Sequence, residues 1–165
     1  MQKDRSYVGL ILFTLAYPAA HYIVGFIPNP FVPEANLAIN MIFPILAGYF
    51  YGPVSGAMAG LFGTGISAIL TADVYDALAI LPHTLMGLTA GFAGNYRQQF
   101  LAACSVLLGH ALNILFFWRF GYLFIEKPPI LVLGLLTETT VDVVAVILFI
   151  VFLHRKLYCE DDGRW

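Results

Sequence analysis

Glu138 and Asp142 stand one helical turn apart in a stretch, 129–153, whose only other polar side chains are three threonines. At helical spacing the two carboxylates share a face. Even on the lower scale, an acid near the centre of a membrane helix costs roughly 2.5–3.5 kcal/mol, so each needs a reason to be there. His110 and Asn113 share a face of the stretch 99–125, with Trp118 and Arg119 nearer its end. His83 follows Pro82, Asn40 and Asn36 open another apolar stretch, and His21 lies late in the first. Amides, carboxylates and one arginine among aromatic rings can grip a small polar ligand, with Trp118 and Tyr122 stacking on a ring. Two carboxylates against one arginine favour a cationic or multiply hydrogen-bonding ring over a polyanion. Imidazoles with carboxylates are also zinc-type donors. No His-x-x-x-His or His-Glu-x-x-His spacing occurs, however, so no metal is expected. Gly63-Thr64-Gly65-Ile66-Ser67 lacks the Gly-x-Ser-x-Gly of a hydrolase, and there is no P-loop. Neither catalysis nor a cofactor is expected of this chain.

The elements that position these groups follow from composition. The chain has 165 residues, 60 % of them hydrophobic and 11 % charged. An average soluble domain has roughly 45–50 % and about 25 %. Mean hydropathy is +0.82. Eight basic and ten acidic residues cannot cover the surface of a soluble fold this small. A net charge of −2 also lacks the excess that nucleic acid requires. Cys104 and Cys159 make no disulfide framework. The composition predicts an all-α membrane protein in a single domain, with spans near 6–27, 36–51, 53–71, 77–94, 99–125 and 129–153. The first run is too long for the core of a signal peptide and reads as a span.

Basic residues orient the spans. An N-terminus inside makes Lys3, Arg5, Arg97, Arg155, Lys156 and Arg164 cytoplasmic and puts Glu34, Asp73, Asp76 and Glu126 outside, with Lys127 the exception in an outer loop. Both termini are then cytoplasmic. Asn36, Asn40, His21, His83, Trp118, Arg119 and Glu138 fall in the outer half, with His110, Asn113 and Asp142 near the centre. The inner halves stay uncharged down to their ends. An ion path would need polar groups through both halves, so the placement predicts a pocket open to the outside and sealed below. Its candidate lining is His83, His110, Asn113, Trp118, Arg119, Glu138, Asp142 and Asn40. Other readings stand beside this one. Glu138 and Asp142 can pair with His110 or His83 as a buried structural network. His21 reads as packed or interfacial, Asp73 and Asp76 as caps of the fourth helix, and Trp118 with Arg119 as interfacial anchors. The proline-rich segment 28–35 reads either as a lid or as a plain connector.

Small residues recur as Gly48, Gly52, Gly56 and Gly60, a spacing that lets helices approach closely, most simply within the chain. Ala16-x-x-x-Ala20 is a second such step, facing a neighbouring helix or another subunit. Asn36, Asn40 and Pro44, then Gly48-Tyr49-Phe50-Tyr51-Gly52-Pro53-Val54-Ser55-Gly56 and Gly60, together with that alanine step, resemble the S-components of energy-coupling factor (ECF) transporters. These are six-helix membrane proteins that capture vitamins. The resemblance implies uptake of a small water-soluble micronutrient across the plasma membrane of a prokaryote. It also implies that Ala16 and Ala20 dock on a transmembrane coupling subunit driven by two cytoplasmic ATPases. His110 with Trp118 eight residues on is similar to thiamine-binding members. Nickel- and cobalt-capturing members use a histidine beside the initiator methionine, where this chain has Gln2. The contrasting expectation is a non-transporting six-helix scaffold or accessory subunit, which needs the glycine seams but not the mid-membrane carboxylates.

Overall fold

Inside a bilayer the backbone finds no water to bond, so long apolar runs satisfy their N–H and C=O groups locally, as helices. The computed structural model describes residues 2–24, 27–32, 36–123 and 128–156. Among them are six α-helices and no strand beyond one isolated bridge. The helices are α1 (Gln2–Val24), α2 (Ile42–Tyr51), α3 (Pro53–Thr71), α4 (Val74–Asn95), α5 (Gln99–Arg119) and α6 (Pro128–His154), with a 3-10 turn, Ile39–Met41, leading into α2. Four of them, α3 to α6, are long and apolar enough to cross a membrane. Tyr7–Ile23 and Ile39–Tyr51 are shorter apolar helical stretches. The all-helical, multi-pass membrane character read from composition is therefore present. Lys127, Glu126, Glu34, Cys159 and Arg164 lie outside the described residues.

Two expected stretches are shortened by local hydrogen bonding. Helix in 36–51 begins only at Ile39, because Leu37 N–H donates to the Ile27 carbonyl at 2.9 Å and Pro28 bridges Asn36. The stretch 99–125 stops at Arg119. There Gly121 takes φ +77°, Tyr122 N–H donates to Phe117 O and Gly121 N–H to Trp118 O, a Schellman cap. α4 ends in the same motif, Gln98 N–H to Ala93 O and Arg97 N–H to Gly94 O, but with arginine at the left-handed position, φ +54°. A Cβ is disfavoured in that conformation. Arg97→Gly should therefore raise stability by roughly 0.5 kcal/mol, the relief at φ > 0 less the added unfolded-state entropy. Thermal unfolding in detergent reads it, and a lowered midpoint would contradict it.

Short turns make α2 and α3, α3 and α4, and α4 and α5 antiparallel. Gly9 of α1 lies against the Tyr51 ring, and Gly94 of α4 lies against the Tyr49 backbone. The start of α1, the Gly52 turn, the 96–98 turn and the end of α6 thus share one end, called basal here. Exposed Arg97, Arg155 and Lys156 belong to it. The Ala72–Asp73 corner and the segments 27–32 and 36–38 lie at the opposite, distal end.

α3 and α4 form the tightest pair. A Cβ on Gly56 would overlap the Gly87 carbonyl, one on Gly87 the Gly56 carbonyl, and one on Gly60 the His83 carbonyl. Gly48 of α2 meets Gly87 as well. The glycine step thus packs within the chain, while Gly52 (φ +94°) makes the turn between α2 and α3. On α1, Pro18 lacks the N–H that would bond the Thr14 carbonyl, and Gly63 of α3 packs where that carbonyl and Tyr17 lie. The apolar core is basal: Phe13, Ile45, Leu46, Ala59, Met86, Ala90, Ala102, Val106, Val146 and Ile150 are among its buried members.

Candidate functional site

Going up α1, α3, α4, α5 and α6 from the core, the buried residues change from mainly apolar to polar at one level. Phe13 gives way to Tyr17 on α1, Ala59 to Thr64 on α3, Met86 to His83 on α4, Val106 to His110 on α5 and Val146 to Asp142 on α6. Each change takes about one helical turn, roughly 5.4 Å. In the basal half, buried Ser55 donates to the Tyr51 carbonyl at the end of α2 and buried Ser105 to the Ala102 carbonyl of its own helix, so neither needs a further partner.

His83 is the hub of this layer. Its Nδ1 lies 2.8 Å from Tyr17 OH and 3.0 Å from Thr64 Oγ1, and its Nε2 lies 3.3 Å from Asn113 Nδ2. One ring nitrogen carries the proton and donates while the other accepts, so the imidazole bonds along both edges. Four helices, α1, α3, α4 and α5, meet on one imidazole. The Tyr17 and His83 rings also pack at 5.6 Å between centroids.

Beside the hub, His110 Nε2 donates to Asp142 Oδ2 at 3.1 Å, tying α5 to α6. Glu138, one turn above Asp142, accepts from Ala38 N–H at 3.2 Å. His110, Glu138 and Asp142 each offer a donor atom within 4.8 Å of the others. Two buried oxygens here have no hydrogen-bond partner, Asn113 Oδ1 and Asp142 Oδ1.

A third group is distal. Ser67 and Thr71 donate to Asp76 Oδ2 at 2.8 and 3.3 Å, and His21 Nε2 lies 3.7 Å from it. His21 Nδ1 lies 3.2 Å from Asn40 Nδ2. The expectation that Asp73 and Asp76 both cap α4 is corrected here. Asp73 is the cap, accepting from Tyr75 N–H at 2.9 Å. Asp76 sits three residues into the helix, on the face turned to α3, and is buried.

Of the expected lining, His83, His110, Asn113, Glu138 and Asp142 come together, while Asn40 bonds His21 in the distal group. Trp118 and Arg119 do not, because the last turn of α5 points them outward; Trp118 is 61 % exposed. Tyr122 packs instead with Tyr75, whose hydroxyl donates to the Tyr122 carbonyl. Asn36 is exposed. The residues sequence reasoning missed are Tyr17, Thr64, Ser67 and the buried role of Asp76. Tyr17 with His21 and Thr64 with Ser67 carry helical spacing that could have revealed them.

Segment 27–32 crosses the distal turns of α6. Buried Asn29 donates through Nδ2 to the Gly134 carbonyl at 3.0 Å, and its Oδ1 accepts from Phe31 and Val32 N–H. Val32 packs on Gly134. The rest of the expected lid, 33–35, lies outside the described residues. On α1, Val8, Leu12, Leu15, Ala19 and Tyr22 form an exposed stripe, and half-buried Ala16 and Ala20 border it. No protein-family model matches the chain, and neither does any curated protein or solved structure.

Proposed function

We propose that the chain is the membrane-embedded substrate-capture subunit of an ECF-type uptake system, taking a small water-soluble micronutrient, a vitamin or precursor, from outside a prokaryotic cell. In this reading all six helices cross the plasma membrane and the basal end is cytoplasmic, in keeping with Arg97, Arg155 and Lys156 there. The chain carries no catalysis of its own, and coupling and ATP hydrolysis belong to the transmembrane and cytoplasmic partners. One observation carries the reading: the polar layer stops at a single level over a continuous apolar core. A conduit would not end that way, whereas a binding site reached from one side would. His83, His110, Asn113, Glu138, Asp142 and Asn40 contact the ligand, while Trp118 and Arg119 serve as interfacial anchors. Purified protein should retain a vitamin-sized molecule detectable by mass spectrometry. No binding in a broad vitamin and precursor screen, with uptake unchanged in Asn113→Ala, would leave the scaffold reading in its place.

The alanine step gives an independent test of coupling. Replacing Ala16 and Ala20 together with leucine adds bulk at the border of the exposed α1 stripe, where a partner helix must come close. Ligand binding to the isolated subunit should persist, because neither alanine belongs to the polar layer. Uptake that depends on the ATPases should collapse. Loss of both together would show that α1 only packs internally.

A further inference from the structure

His110, Glu138 and Asp142 have a geometry that hydrogen bonding alone leaves incomplete. Asp142 is fully buried, yet one of its two oxygens has no partner. An ionised Oδ1 there lacks a donor and a protonated one lacks an acceptor, so it is left unsatisfied either way. The atoms that do meet, His110 Nε2 and Asp142 Oδ2, are 3.1 Å apart. Two ligands at about 2.0–2.2 Å from a shared tetrahedral ion stand roughly 3.3–3.6 Å from each other, so a small separation of the two atoms admits the ion. Glu138 brings a third donor atom within 4.8 Å of both. One imidazole and two carboxylates are a borderline-to-hard donor set, suited to zinc, cobalt or manganese rather than to copper(I) or calcium. A dication beside two carboxylates and a neutral imidazole also brings the cluster to zero net charge, which matters in a low-dielectric interior.

From this geometry we propose that His110, Glu138 and Asp142 form a binding site for one divalent transition-metal ion. The ion replaces the proton shared between His110 and Asp142, takes up the orphaned Asp142 Oδ1 or its partner oxygen, and keeps a fourth position for water or a ligand. The site goes beyond the transport reading and does not depend on it, since a scaffold with the same α5–α6 contact would bind metal equally.

The test uses the full-length, tag-free protein in nanodiscs, stripped with chelator and titrated with zinc and with cobalt(II). One equivalent of zinc should bind, and cobalt should develop the visible d–d absorption of a low-coordinate nitrogen–oxygen site. Isosteric Asp142→Asn and Glu138→Gln should each weaken affinity by on the order of 100-fold, and His21→Gln should leave it unchanged. Helical circular dichroism checks each variant. If Asp142→Asn fails to fold, the more accessible Glu138→Gln decides alone. Absence of saturable binding in the parent protein, or affinity unchanged in a folded Glu138→Gln variant, overturns the assignment. Neither result would bear on vitamin capture, which is read from organic ligand retention.

Discussion

Replacing Gly87 with leucine should abolish the folded bundle. Gly87 faces Gly56 across the α3–α4 seam with backbone against backbone, and Gly48 of α2 meets the same carbonyl. Overpacking a core with extra methylenes typically costs about 1–3 kcal/mol, because neighbouring side chains shift to new rotamers. Here the obstacles are peptide carbonyls, which cannot rotate away without unwinding a helix, so the cost should reach about 3 kcal/mol or more. The readouts are monodisperse yield after extraction and the thermal midpoint. Gly65→Leu is the matched control, since a Cβ at Gly65 meets nothing within 4 Å. Similar behaviour of the two variants would refute a backbone seam.

His83→Leu should be the most damaging single change in the polar layer. It takes the partner from Tyr17, Thr64 and Asn113 at once, on three other helices. Each buried group left without a partner costs about 1–3 kcal/mol, and in a shared network these costs do not simply add. Tyr17→Phe removes one spoke only and should cost about 1 kcal/mol. In a double-mutant cycle, Tyr17→Phe should therefore cost little once His83 is already leucine. Strictly additive effects would mean that the 2.8 Å contact contributes nothing. Under the proposed function, His83→Leu also loses the bound micronutrient, even in whatever folded protein survives.

Much of this architecture is legible in the sequence because membrane burial imposes strong local rules. Six apolar helical stretches, the Gly52-Pro53 turn and the shared face of Glu138 and Asp142 all follow from hydropathy, turn chemistry and helical spacing. So does the depth pattern, because position along a helix converts directly to height at about 1.5 Å per residue. That is why polar groups confined to one half and the centre, with Asn40 and His83 above His110 and Asp142, can be expected before any contact is known. The end of α5 was harder to read. Gly121 follows Arg119 and Phe120 at the end of an aromatic-rich run, and only the left-handed cap shows that the helix stops.

What the sequence by itself determined is a bundle of apolar helices, the heights of its polar groups and the faces on which some of them sit. Tertiary structure alone decided which groups meet. His110 and Asp142 are 32 residues apart, and Tyr17 and His83 are 66 apart. No spacing rule reaches across those intervals, so the absence of a metal motif along any one helix said nothing about a trio shared by α5 and α6. The same holds for the glycines, whose spacing announced a close approach without naming α4 as the partner, and for Trp118, at the right height but on the outer face. The physical reason is rotation. Each residue turns a side chain by about 100° around its helix axis, so height is set by sequence position, while direction toward a partner depends on how each helix is rotated when it packs.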